Sequence, residues 1–157
     1  MLDLELPDLG HPVFKPAFTP STMLGLGIFG GNYFAHAEQT DFRKLDSMTL
    51  FLAKRNGLVF DPRLNHYGVK AGLSFEEWDD RGWIFGEDPL GWFHWYCRYF
   101  NNRRHARDTH QINRWVKYKQ RWGDRAASQL ATKGKVSPVI MQGLLQWSID
   151  PLLRDRS

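Results

Sequence analysis

The sequence predicts a mainly α-helical protein: a compact single-domain bundle of about five or six helices over residues 21–157, with an extended, proline-rich N-terminal arm over residues 1–20. Three observations carry this expectation. Apolar residues recur at three- and four-residue spacing in several separate stretches. The pairs Thr19–Pro20, Asp88–Pro89 and Ser137–Pro138 each place a capping side chain before a proline, the strongest local signal for a helix start. No internal repeat, low-complexity tract or linker interrupts the chain, and 157 residues are enough to bury one sizeable core.

Taken in order, Pro7, Pro12, Pro16 and Pro20 keep residues 1–20 from forming a long helix, while the alternation of Leu2, Leu4 and Leu6 allows a short strand. Thr19 and Pro20 then open a short helix expected to end at Gly30–Gly31. In "TDFRKLDSMTLFLAKRNG" Phe42, Leu45, Met48 and Leu52 have helical spacing, with Thr40 as cap and Gly57 as stop. "LVFDPRLNHYGVKAG" reads as loop. "SFEEWDDRG" carries a capping box, Ser74 with Glu77, and stops at Gly82.

The next stretch, "DPLGWFHWYCRYFNNRRHARD", predicts a helix from Asp88 to about Asn101 with Asp88 as its cap. Six aromatic residues fall in the nine positions from Trp92 to Phe100. Leu90, Phe93, Cys97 and Phe100 form one stripe, and Trp92, Trp95 and Tyr99 lie on another side, so this helix belongs at the centre and most of its rings are core. A further helix is expected from Asp108, with Gln111 completing a capping box and Ile112, Trp115, Val116 and Trp122 facing inward. A separate helical piece is expected over residues 125–132. The last helix opens at Ser137–Pro138 and stops before Pro151, with Met141, Leu144, Leu145 and Ser148 inward.

Composition bounds the function. One cysteine rules out an internal disulfide framework and fits a reducing, cytoplasmic compartment. The opening "MLDLELPDLG" has acids where a secretory signal needs bases, and no apolar run reaches the ~18 residues of a membrane span, so no membrane partner is expected. The net charge of +4 hides a sharp asymmetry: residues 1–97 carry 8 Lys/Arg against 13 Asp/Glu, and residues 98–135 carry 11 against 2. Such a segment faces an anionic partner or is neutralised by acids elsewhere in the chain, such as Glu76, Glu77, Asp79 and Asp80.

Nucleic-acid grooves combine Lys/Arg for phosphates with flat rings for bases. The anion-binding candidates are Arg98, Arg103, Arg104, Arg107, Arg114, Lys117, Arg121 and Arg125, and the stacking candidates are Tyr99 and Trp115. Weaker signals compete. "GLGIFG" at Gly25–Gly30 matches G-x-G-x-x-G literally, but proline-rich chain precedes it and no helix opens after it, so a tight turn or close backbone packing explains it better than a dinucleotide site. A glycine hairpin whose amides hold a phosphate is the other reading. His94 and Cys97 lie one turn apart, yet no third metal ligand follows from spacing, and a cysteine on an apolar stripe is more often inert than nucleophilic. Neither a metal nor a cofactor is expected.

Several stretches together resemble a family of small, uncharacterised microbial and viral proteins: "MLGLGIFGGNYF", "NHYGVKAG", "DPLGWFHWYCRYFNNRR", "HQINRW" and "GLLQWSIDP". Its pattern is approximately L-G-x-F-x-G-x-Y, Y-G-V-K, D-P-x-G-W-F-x-W-Y-x-R-Y-x-x-x-R-R and Q-I-x-R-W, and here "NNRR" stands where a glycine precedes the arginine pair. The resemblance brings no activity, but it draws attention to Lys70, Arg98, Arg103, Arg104 and Arg114, which packing alone would not require. Three functional expectations follow. The leading one is a nucleic-acid-binding helical domain, in nucleic-acid processing or modification. The second is a small enzyme acting on a nucleotide-like or other anionic small molecule, with Lys70, His94 and Arg98 converging on a pocket between helices. The third is a structural or assembly protein of a larger, viral complex, which would show an exposed aromatic patch.

Overall fold

The computed structural model describes residues 10–33, 59–72, 88 and 90–152. These are mainly helical, with four α-helices and no strand among them: α1 (Pro20–Leu26), α2 (Trp92–Phe100), α3 (Asp108–Lys133) and α4 (Pro138–Gln146). The helix expected over residues 40–57, the capping-box segment at 74–82, the strand at Leu2–Leu6 and Pro89 lie outside the described residues.

Residues 10–19 contain no helix, and they enter the core. Phe14, Ala17 and Phe18 are buried, and the Ala17 N–H donates to the Ser148 carbonyl (2.7 Å). Thr19 then does what its position dictates: its Oγ1 accepts the Thr22 N–H (3.1 Å), with Pro20 in the first turn of α1. The helix stops at Gly27, earlier than expected, because Gly27 takes φ 92° and folds its amide back onto Met23 and Leu24.

The G-x-G-x-x-G match is a packing device. At Gly30, φ is 63° and an added Cβ would overlap the ring of Phe60. The Gly30 N–H donates to Asn65 Oδ1 (2.7 Å), and the carbonyls of Gly30 and Gly27 accept from the Asp61 and His66 amides (2.9 Å each). The glycine turn is thus hydrogen-bonded to the loop 59–72, which contains one 3-10 turn at Pro62–Leu64. From α4, the buried Gln142 spans both pieces, accepting the Tyr67 N–H (3.0 Å) and donating to the Gly27 carbonyl (3.3 Å).

α2 begins at Trp92, one turn later than the sequence predicts, and Asp88 does not cap it. Gly91 occupies the cap position with φ 99°, a conformation that carries no capping side chain, and the Asp88 carboxylate is engaged by arginines instead. The central burial of α2 is as expected: Trp92, Phe93, His94, Trp95, Tyr96, Cys97 and Tyr99 are all buried. Phe14 is the hub of this cluster, its ring centroid 5.1–6.1 Å from those of Trp92, Trp95, Tyr96, Tyr99 and Trp115. Polar tips are satisfied in the same place: the Tyr96 hydroxyl donates to the Phe18 carbonyl (2.7 Å), as does Ser148 Oγ (2.7 Å).

α3 is one uninterrupted helix of 26 residues, about 39 Å long at 1.5 Å per residue. The separate piece expected at residues 125–132 is its continuation, and Gly134 (φ 71°) ends it. The capping box is absent. Asp108 spends its carboxylate on the Trp95 indole N–H (2.8 Å) and the His105 amide (2.9 Å), while Gln111 is buried under Arg114. α4 starts as predicted, with Ser137 Oγ accepting the Ile140 N–H (3.3 Å), and buries Leu144 and Leu145. No helix among the described residues is long and apolar enough to cross a membrane.

Candidate nucleic-acid interface

The basic segment divides in two. In its first part the arginines are taken up by the protein itself. Asp88, with its side chain 1% exposed, receives Arg103 Nη2 on one oxygen (2.8 Å) and Arg98 Nη1 on the other (3.4 Å). Arg104 lies over the Tyr99 ring, 3.7 Å from its centroid, and its Nη1 donates to the carbonyls of Tyr99 (2.9 Å) and Arg103 (3.1 Å). Asn102, just before the arginine pair, takes φ 72°, the left-handed region that asparagine tolerates better than most residues.

The expectation that Tyr99 and Trp115 offer stacking faces is corrected by burial. Tyr99 is 4% exposed and Trp115 3%; both rings pack on Phe14, and the Trp115 indole N–H donates to the Trp147 carbonyl (2.8 Å). A base cannot reach either face. The rings left half-buried on this helix are Tyr118, stacked on Trp147, and Trp122, flanked by the guanidinium groups of Arg121 (5.3 Å) and Arg125 (5.6 Å).

The second part is different. At 100° per residue, Arg107, His110, Arg114, Lys117, Arg121 and Arg125 fall within an arc of about 80° along α3 and its cap, over about 27 Å of axis. All are exposed except Arg114, which is half-buried beside the Gln111 side chain and the Trp147 ring. Among the described residues, Arg114, Lys117, Arg121 and Arg125 form no ion pair. Of the two acids of this helix, Asp108 accepts from the Trp95 indole and the His105 amide, and among the described residues no ion pair joins Asp124 to Arg121 or Arg125.

Electrostatics register the same row. Partial burial, followed by the charges of Arg114, Arg107 and Lys117, holds the His110 imidazole below its ordinary value. Burial lowers the Arg114 guanidinium as well. Three like charges thus act on one imidazole in the first turns of α3.

The residues considered for catalysis do not share an environment. Lys70 is exposed in the loop 59–72. His94 is 2% exposed, and its Nδ1 accepts the Leu90 N–H (3.3 Å), a local bond at the start of α2. Arg98 is paired with Asp88. Cys97 is buried in the aromatic core, the inert role its position favours. Among the described residues no three His, Cys, Asp or Glu side chains gather as metal ligands would. The amides of Gly27 and Gly30 are spent internally, so neither is available to hold a phosphate.

Sequence reasoning missed Asp88 as the shared counter-ion, because a capping role explained it locally. It also did not place Gln111, Tyr118 and Trp147 together beside Arg114. The one legible hint was the spacing of Gln111 three residues before Arg114, which puts the two on one helical face. No protein-family model matches the chain, and no curated protein or solved structure is significantly similar to it.

Proposed function

We propose that this protein binds nucleic acid along α3, through the phosphate backbone. The observation that supports the reading is the row of Arg107, Arg114, Lys117, Arg121 and Arg125, five cations on one side of α3 and its cap, of which Arg114, Lys117, Arg121 and Arg125 form no ion pair among the described residues. A row about 27 Å long suits a linear polyanion better than a small molecule, which one or two of these charges would satisfy. With Tyr99 and Trp115 buried, neither ring offers a base a stacking face, and the reading rests on phosphate contacts that carry little sequence information.

Each phosphate neutralised releases condensed counter-ions, so the affinity carries a count of the contacts. Five contacts give a slope of log K against log salt of about −4.5 for duplex DNA and about −3.5 for single strands. Fluorescence anisotropy with single- and double-stranded DNA and RNA, across a salt series, measures both the affinity and the slope. Lack of binding at low salt, or binding without a slope, refutes the reading.

A further inference from the structure

We infer that Arg114 forms a built subsite for one phosphate group, gripping two phosphoryl oxygens with a single fixed guanidinium. This rests on the reading of α3 as a nucleic-acid-binding helix and deepens it, by separating one geometric contact from a row that otherwise acts through charge alone.

Lys117, Arg121 and Arg125 are exposed, and among the described residues they form no ion pair that fixes their tips. Arg114 is held from two sides. Its Nη1 donates to Gln111 Oε1 (2.9 Å), and its guanidinium carbon stands 5.5 Å from the centroid of the Trp147 ring. Both supports are themselves fixed. Gln111 is 1% exposed, and its carbonyl accepts the Trp92 indole N–H (3.2 Å). The Trp147 ring packs between Tyr118 (4.6 Å, 14° between planes) and Trp92 (4.8 Å, 31°), and its carbonyl is bonded to Trp115.

An arginine side chain carries five N–H donors, and only one of those on Arg114 has an acceptor among the described residues. A cation drawn partly out of water without a counter-ion is costly unless an anion completes it. Arg107 and Lys117, seven residues before and three after on the same side, add their field and repel any competing cation. The planar fork of a guanidinium matches two oxygens of a tetrahedral phosphate, whereas an ammonium in the same place would offer a point charge. The class of ligand is therefore a phosphodiester or phosphate monoester, the former supplied by the nucleic-acid backbone.

The test uses the full chain and reads the arginine Nε–Hε signals by NMR during titrations with inorganic phosphate, acetate and chloride at matched ionic strength. The subsite predicts a saturable shift of the Arg114 signal with phosphate, at a lower concentration than with acetate, and no comparable response at Arg121 or Arg125. Equal drift in all three salts, or equal responses from the three arginines, overturns it.

In a second arm, Arg114→Lys is compared with Arg121→Lys for oligonucleotide binding. Both keep the charge and so the salt slope, but Arg114→Lys lowers affinity about tenfold and Arg121→Lys less than about twofold. Equal losses overturn the subsite. If the unaltered protein binds no oligonucleotide at all, the nucleic-acid reading fails, and the phosphate titration decides the subsite by itself.

Discussion

The arginines that follow α2 and those along α3 belong to one basic stretch of 38 residues, yet the two groups carry their charge to different ends. Arg98 and Arg103 converge on Asp88, and Arg104 lies flat on Tyr99. Arg107, Lys117, Arg121 and Arg125 are exposed along α3 and its cap. What separates them is the surroundings. At the end of α2 the chain turns back beside a buried carboxylate and a buried ring, whereas α3 runs on for 26 residues, and on its outward arc Lys117, Arg121 and Arg125 form no ion pair among the described residues. Residue type and density alone do not mark a binding surface; the positions of the acids do.

The comparison can be broken from the structural side first. Phe14→Ala removes the ring that touches five others, and a loss of about 4 kcal/mol in urea unfolding is expected for a buried phenylalanine. Asp88→Asn strips the shared counter-ion from two guanidinium groups. Because both arginines keep some access to water, the expected cost is about 3 kcal/mol, near the lower end for a broken buried pair. In whatever fraction stays folded, the salt slope of nucleic-acid binding is unchanged, since neither arginine belongs to the α3 row.

The reverse outcome is expected on α3. Combining Lys117→Gln, Arg121→Gln and Arg125→Gln leaves the unfolding midpoint nearly unmoved, within about 0.5 kcal/mol, because exposed helix positions accept glutamine readily. Affinity for duplex DNA at low salt falls about 100-fold, and the slope shrinks from about −4.5 to about −1.8. A stability loss with an unchanged slope would place these cations with the Asp88 group and erase the distinction.

The smallest effect sharpens the comparison by pH. Burial and three neighbouring cations hold His110 below its ordinary 6.5, so its folded form favours the neutral ring. Its contribution to stability is therefore present above that value and is lost as the pH falls through it. A bound polyanion offsets the cations and raises the imidazole pKa, so binding takes up protons and tightens as the pH drops from 8 to 6. NMR titration of the His110 ring with and without oligonucleotide reads the shift directly; an unmoved or lowered value places the anion away from this part of α3.

Much of the fold was legible because its signals are local. Thr19–Pro20 and Ser137–Pro138 cap the helices they announce, and the dense rings of residues 92–100 are core, as their spread over several faces implies. Asp88–Pro89 carried the same local signature and was misread, because the carboxylate is claimed by residues 10 and 15 positions away, which no local pattern encodes. The Gln111 capping box failed for a similar reason: its side chain is drawn under Arg114. On the site, the spacing of Arg114, Lys117, Arg121 and Arg125 displayed the outward row. Which rings were covered depended on Phe14, whose distance in sequence from α2 and α3 concealed it.

The path of residues 10–19 has a practical meaning for anyone who shortens this chain. A boundary drawn at Pro20, where the first helix begins, looks natural on the page, yet it would cut away Phe14, Ala17 and Phe18 along with their bonds to Ser148 and Tyr96. The remaining helices would be left around a hole the size of a phenyl ring, with a tyrosine hydroxyl and a serine stranded at its edge. In a protein of this kind the irregular leader is the keystone, and the helices are the stones that lean on it.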